Sequence, residues 1–370
     1  MEEADVVIVG AGIAGLATAL ALKRLGVRAL VLEKAEGLRT TGSALSLSSN
    51  AWLALDSLGI ARKLTTAYAP CRKGYVTDIE SGAIQEVSFS KSDMGEHVFR
   101  VALIGCDGVH SVVAHWLGLR APIDSGRWAV RGLAVYPEGH GLNLEIQQFV
   151  TSGKRAGFVP LNDKEVYWFL TSKFSSKGKD MARDPELIMK EVTDNFAKDF
   201  PRQYLKVVQR SDLSTLTWAP LMFRPPWDMI FGNLSKGNVT VAGDAMHPMT
   251  PDMGQGGCSA LEDAVVLGRH IGDSIIRNKR FVGGDQMAGV LERYVKERRW
   301  RAAGLITGSY LSGWVQQEGS GWFTKFLRDV IFYKLLFIVL FSVRDYNCGK
   351  LPSVTSNGTP RLENNPRKVD

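Results

Sequence analysis

The stretch DVVIVGAGIAGLATALALKRLGVRALVLEK, residues 5–34, decides the fold. An apolar run ends at Val9 and a glycine turn follows. An alanine- and leucine-rich segment extends from about Ala14 to Leu25, Gly26 stops it, and a second apolar run closes at Glu33. That succession predicts a strand, a helix and a second, parallel strand, the unit that opens a doubly wound sheet. Gly10, Gly12 and Gly15 have the GxGxxG spacing where the physics requires it, directly after a strand and opening a helix. Gly10 permits the tight turn, Gly12 lets a pyrophosphate approach the backbone, and Gly15 allows close helix–strand packing. The positive helix end favours the phosphate charge. Glu33, 18 residues beyond Gly15, is placed to accept hydrogen bonds from an adenosine ribose. A carboxylate there disfavours a 2′-phosphate, so FAD or NAD fits and NADP does not.

Working outward, a polar loop after Glu33 leads to a helical pattern over Ala51 to Lys63, and alternation from Gly74 to Phe89 predicts a strand and hairpin. The short run VALIG, ending at Gly105, reads as a buried strand feeding a turn and helix in CDGVHSVVAHWLGL. Between about Gly126 and Trp218 the texture is β-rich, with one helical stretch around Pro185 to Phe200; dinucleotide-domain texture resumes at NVTVAGDA and enters a helix from about Ser259 to Ile276. The expected architecture is α/β: a Rossmann-like FAD-binding domain with a second β-rich (α+β) substrate domain. Its boundaries are 1–70, 98–120 and 232–300 for the discontinuous cofactor domain and 71–97 with 121–231 for the substrate domain. A C-terminal helical segment takes 301–350, and 351–370, rich in Asn, Pro and charge, reads as a disordered tail.

The segment VAGDAMHPMTPDMGQGGCSALEDA, residues 241–264, separates FAD from NAD. A strand ending at Gly243 places Asp244 to bind a ribityl hydroxyl, while Pro248 and Pro251 stiffen the turn that follows. Gly254, Gln255, Gly256 and Gly257 offer bare backbone amides at a helix start, which can stabilise negative charge on the N1–C2=O edge of a reduced isoalloxazine. His247, between Met246 and Pro248, either fixes this loop or acts in acid–base chemistry, and no catalytic residue is assigned.

The composition is that of a globular chain: 370 residues, 45% hydrophobic and 22% charged, with formal charge +7. The basic residues are spread out except for Lys296, Arg298, Arg299 and Arg301, a pattern that argues against nucleic acid and weakly favours anionic small molecules or an acidic surface. Cys71, Cys106, Cys258 and Cys348 stand far apart, giving no support for a disulfide framework or a metal site, and a cytoplasmic location is expected. The apolar stretch 330–343 contains Lys334 and is shorter than the roughly 20 residues of a spanning helix. It reads as a packed terminal helix or a peripheral membrane contact.

GAGIAG with Glu33, the CDG of residues 106–108 and the GDAMHP of residues 243–248 resemble the three fingerprints of the FAD-dependent aromatic hydroxylases, the group A flavoprotein monooxygenases. Within that group, RTTGSALSL, IGCDGVHSVVA, VPLNDKEVYWF and HPMTPDMGQGGCSALEDA resemble the plant-type FAD-dependent monooxygenases. The resemblance, over about residues 4–310, implies FAD as cofactor and NAD(P)H as co-substrate. It further implies a small-molecule substrate and oxygen transfer through a C4a-hydroperoxyflavin. It implies that Arg39 lies in a loop contacting FAD, that Asp107 and Gly108 contribute to flavin and pyridine-nucleotide binding, and that Asp244 holds the ribityl chain. Asp107 equally suits a helix cap. Arg131 and Arg155 either face the substrate pocket or are surface strand residues, and Trp168, Phe169, Trp218 and Phe223 read as core. A flavin dehydrogenase or oxidase would use the same fingerprints.

One departure from the family pattern stands out. Family members carry a helix with an FAD-contacting Arg and a further β-hairpin between the counterparts of Glu96-His97 and Val101. Here residues 91–100 are fewer than the roughly 20 that a helix and two strands need. A truncated relative with weak FAD binding is therefore the competing expectation.

Overall fold

In a computed structural model, the structure describes residues 4–38, 47–67, 73–80, 82, 84–88, 102–151, 153–173, 184–278, 283–317 and 346–352. Arg39, Cys71, the shortened stretch 91–100 and the apolar stretch 330–343 lie outside these residues.

The opening unit folds as β1 (Val6–Val9), α1 (Ile13–Arg24) and β2 (Ala29–Leu32). Gly26, at φ 57°, ends α1; its N–H donates to the Lys23 carbonyl while the Val27 N–H reaches back to Leu22. Such a left-handed cap satisfies the last helical carbonyls and turns the chain into β2. The expected helix over 51–63 is two helices, α2 (Ser49–Ser57) and α3 (Ala61–Ala67). Gly59, at φ 70°, terminates α2 by the same device although the apolar spacing runs on. The chain then makes β3 (Lys73–Asp78) and β4 (Ile84–Ser88), returns for β5 (Leu103–Gly105) and α4 (Val112–Trp116), and crosses again for β6 (Ile123–Val135), β7 (Ile146–Thr151), β8 (Lys154–Pro160) and β9 (Glu165–Lys173). Two helices, α5 (Pro185–Glu191) and α6 (Arg202–Gln209), precede β10 (Thr217–Phe223) and α7 (Pro226–Phe231). The last elements are β11 (Ser235–Lys236), β12 (Val239–Val241), α8 (Gly256–Asn278) and α9 (Gly284–Gln317).

Two sheets result. The first has order β11-β12-β5-β1-β2, with β1 parallel to β2 and β5, and β5 parallel to β12. Beside the shortened stretch, β5 still takes its place next to β1. The second, order β10-β6-β9-β8-β7-β3-β4, is mostly antiparallel. Period-two alternation splits its residues between two faces. Trp128, Val130, Phe158, Trp168, Leu170 and Trp218 form one face and bury against Ile188, Tyr204 and Val207 of α5 and α6. Trp128 stacks on Trp218 at 3.9 Å. The opposite face, with Arg127, Arg131, Arg155, Tyr167 and Phe169, looks to the first domain.

The C-terminal boundary falls differently from the sequence expectation. Helix α9 runs unbroken through residues 300 and 301, because no Gly–Pro signal or composition shift interrupts its ladder there. Residues 346–352 pack onto the first domain: Cys348 and Leu351 are buried, and the Leu351 N–H donates to Ser57 Oγ at 3.0 Å. The expected tail boundary at 351 therefore cuts into ordered, packed chain.

Candidate functional site

Steric demand explains the glycine loop position by position. A Cβ at Gly10, φ 102°, would lie 2.4 Å from the Cys106 carbonyl oxygen, and one at Gly15 would lie 2.0 Å from that of Gly10. At Gly12 a Cβ would meet nothing within 4 Å. Gly10 and Gly15 are thus bare because protein backbone presses on them, and Gly12 borders open space at the N-terminus of α1. Glu33 follows β2 at the rim, where its carboxylate accepts the Ala11 amide at 2.8 Å and the Ala35 amide at 2.9 Å, tying loop to strand end.

Asp107 and Gly108 follow β5 beside this loop. Asp107 accepts hydrogen bonds from Ser111 Oγ at 2.6 Å and from the Val112 N–H at 2.8 Å, so it supports the start of α4, whose N-cap is Ser111. Gly108 adopts φ 79°. Cys106, buried beneath, has its thiol pKa pushed up by burial and by the nearby carboxylates Asp263 and Asp107, which makes it inert as a nucleophile.

At the other end, Gly243 (φ 60°) fits against α1, where a Cβ would lie 2.6 Å from the Ala14 Cβ. Asp244 follows it and is reached by solvent. The carboxyl sits in a concavity, and enclosure by protein raises its pKa; His247 opposes that rise, Asp263 adds to it, and Arg131 opposes it. Gly254, at φ 63°, turns the chain, and Gly256 and Gly257 begin α8. A Cβ on Gly256 would come within 3.9 Å of Asp244 Oδ1, so carboxylate and helix start share one wall. Pro248 is buried, and its carbonyl accepts the Arg224 N–H at 3.0 Å.

Behind this wall lies a buried charge cluster. Asp263 Oδ2 accepts the Gly243 N–H at 2.8 Å and pairs with His247 Nε2 at 2.6 Å, while its Oδ1 accepts Arg298 Nε at 2.7 Å. Burial alone would raise the Asp263 pKa, but His247, Arg298 and these hydrogen bonds hold it down at about 2. Arg298 also binds Glu262 and Ser259, and Glu262 takes Arg301 and Asn50 as well. Asn50 Nδ2 donates to Gln255 Oε1 at 3.0 Å, which fixes the residue between Gly254 and Gly256. Arg224 clamps the same turn by donating to the Met246 and Ala245 carbonyls. His247 therefore fixes the loop as a buried partner of Asp263.

A second cluster joins the domains. Arg127 binds Asp252 bidentately, at 2.9 and 2.7 Å, and Arg155 reaches the same carboxylate at 3.1 Å while its guanidinium stands 5.7 Å from the Phe169 ring centre. These cations keep the Asp252 carboxyl below the usual range despite burial. Arg155 is thus a buried interdomain residue. Arg131, half-buried, hydrogen-bonds Tyr167 and lies within electrostatic reach of Asp244. Phe169 stands on this inner face, whereas Trp168, Trp218 and Phe223 are core.

Sequence reasoning named the residues lining the cleft on motif grounds and missed those supporting it. Asp252, Glu262 and Asp263 stand in the quoted 241–264 stretch without an assigned role. The cluster Lys296, Arg298, Arg299 and Arg301, read as weak evidence for anionic partners, spends Arg298 and Arg301 on internal carboxylates.

The chain matches the family described as FAD binding domain over residues 3–92 and 76–309. Monooxygenase 2 of Arabidopsis thaliana is 36% identical over 402 residues, covering 94% of this chain and 98% of that protein. The 402 aligned positions exceed the 370 residues of this chain, so the alignment holds positions it lacks. The FAD-dependent urate hydroxylase of Klebsiella pneumoniae is 26% identical over 360 residues, covering 81% of this chain and 87% of that protein. The solved structure of Klebsiella pneumoniae HpxO with FAD and uric acid has the same fold, with a TM-score of 0.68 at 22% identity, 92% of each chain being covered. The open backbone at Gly12, the accessible Asp244 and the glycine-started helix suit a flavin dinucleotide, and the chain belongs to the FAD-dependent monooxygenase family.

Proposed function

We propose that the protein uses NAD(P)H and O2 to hydroxylate a small organic substrate held between its FAD and the inner face of the seven-stranded sheet. The observation that carries this reading is the cleft running from Gly12 to Asp244 and the start of α8, which Arg131, Tyr167 and Phe169 overlook from the other domain. In it, the amides of the glycine loop hold the pyrophosphate, Glu33 the adenosine ribose and Asp244 a ribityl hydroxyl. Asp107 and Gly108 border the same cleft from the end of β5. Gly254, Gly256 and Gly257 leave amides bare at the positive end of α8, where negative charge on the flavin ring is stabilised. Bound FAD supplies hydride acceptance and oxygen activation. Arg131 and Tyr167 orient the substrate, and the sheet excludes water from it. The buried thiols Cys106 and Cys348 suit a reducing compartment such as the cytoplasm.

Purified protein should show a flavin spectrum and substrate-stimulated NAD(P)H oxidation, and labelled O2 should leave one labelled oxygen atom in the product. Oxidation of substrate without oxygen insertion would place the protein among the flavin dehydrogenases and oxidases instead. The alignment longer than the chain favours a second reading, that this form binds FAD more weakly than an intact relative, with weak or absent hydroxylase activity. Titration of the apoprotein with FAD decides between them: tight, stoichiometric binding with coupled hydroxylation would overturn the weaker-binder reading.

A further inference from the structure

Four large aromatic rings stand out from one side of the nucleotide domain. Trp116 is 56% exposed, Trp227 52%, Phe231 81% and Trp300 67%. Single exposed rings are ordinary, but a contiguous set marks a surface that something covers. Three of these four border two adjoining grooves. Arg120, Trp227, Phe231 and Asn233 line one groove, and Asn233 with Lys296, Arg299 and Trp300 lines a second that adjoins it. Lys236, next to the second groove, holds its ammonium 5.2 Å from the centre of the Trp116 ring.

The charged positions among the rings are mostly basic, Arg120, Lys236, Lys296 and Arg299 against Asp228 and Glu292. Arg120 is largely exposed; it reaches the buried Asp228 at 3.3 Å. Lys296 is exposed. Arg299 gives its donors to the Ile230 and Gly232 carbonyls, which are neutral acceptors. Glu292 is the acidic residue on the exposed border of the second groove.

Tryptophan and phenylalanine rings interleaved with Lys and Arg suit the boundary between water and lipid. The rings settle at headgroup depth, and the cations meet anionic lipid. A second copy is a poorer occupant, because a twofold contact would set Arg120, Lys236 and Lys296 against their own duplicates. Among the described residues no helix is long and apolar enough to cross a membrane, so contact through this face would be peripheral. We propose that this face docks the protein on the surface of an anionic phospholipid bilayer, with Trp227, Phe231 and Trp300 inserted between headgroups and Arg120, Lys236 and Lys296 paired with them.

The test is co-sedimentation of the full chain with vesicles of phosphatidylcholine alone or phosphatidylcholine with phosphatidylserine. Binding is expected to the serine-containing vesicles and to fall as salt is raised. The double variant Arg120→Glu/Lys296→Glu should weaken that binding by about tenfold or more. The triple variant Trp227→Ser/Phe231→Ser/Trp300→Ser should abolish it, with circular dichroism and flavin content showing that both variants fold. Failure of the parent chain to bind serine-containing vesicles would overturn the proposal, as would binding that both variants leave intact. So would a dimer in light scattering that the triple variant turns into a monomer, since the face would then hold a second copy.

Discussion

At the glycine loop the cleft is shaped by side chains that are missing, whereas at Asp244 it is shaped by charges packed behind it. Gly10, Gly12 and Gly15 make room by having no Cβ, Gly10 and Gly15 against protein backbone and Gly12 against open space. The Asp244 turn is held by Asp263, His247, Arg298 and Arg224, contributed by α8, α9 and β10 together with the loops beside them. The difference is one of reach. A steric allowance asks only that one position carry no side chain, while a buried charge is stable only when partners from distant segments arrive together.

The largest effect is expected from Arg298→Ala, which leaves Glu262 and Asp263 buried without their main cation. Urea unfolding should show a loss of about 3–5 kcal/mol; a loss within experimental error would mean the charges rearrange freely and the contrast between the two ends disappears. The same cluster gives the parent chain an acid dependence. The carboxyl of Asp263 titrates near 3.8 when unfolded and near 2 when folded, so the folded state prefers its charged form. Its stabilisation is complete above about pH 4 and is lost as the pH falls through 2. Arg298→Ala should flatten that part of the stability curve.

Gly12→Val comes next and affects the ligand alone. The side chain enters open space, so apoprotein stability should stay near that of the parent, while FAD content of the purified protein collapses. Retained flavin would remove the glycine loop from the site. Asp244→Ala should weaken FAD by about 1–3 kcal/mol, read as a rise in the dissociation constant, if the carboxylate accepts a ribityl hydroxyl. An unchanged constant would leave this end of the cleft to the helix amides. The smallest effect is expected for Asp107→Ala, which removes an acceptor for the first turn of α4 and should lower stability by about 1 kcal/mol. A large loss of FAD affinity with little change in stability would instead show that Asp107 serves the cofactor more than the helix.

This contrast also explains what was legible beforehand. The glycine loop, Glu33 and the Gly254–Gly257 run could be read directly, because turn geometry and bare amides are properties of the residues themselves. Arg298 could not, since flanking Lys296, Arg299 and Arg301 make it look like part of a solvated basic face until α9 is laid against α8. Asp252 escaped for the same reason: Arg127 and Arg155 lie more than ninety residues before it. Gly59 was hidden by apolar spacing that continues from α2 into α3, although its left-handed φ ends the helix.

Helix α9 has a mechanical consequence. At 34 residues it is about 50 Å long. Near its middle Arg298 anchors it to α8; further on Tyr310 stacks on Phe223 at 4.8 Å, and Gly313 lies so close to the Arg127–Asp252 pair that a Cβ would come within 2.2 Å of Arg127 Nη1. One rod is thereby fastened to both domains. Rocking the sheet against the nucleotide domain would have to bend the rod or pull a buried carboxylate off two guanidinium groups. Substrate entry is therefore left to movements smaller than a hinge, such as that of a side chain on the inner face of the sheet.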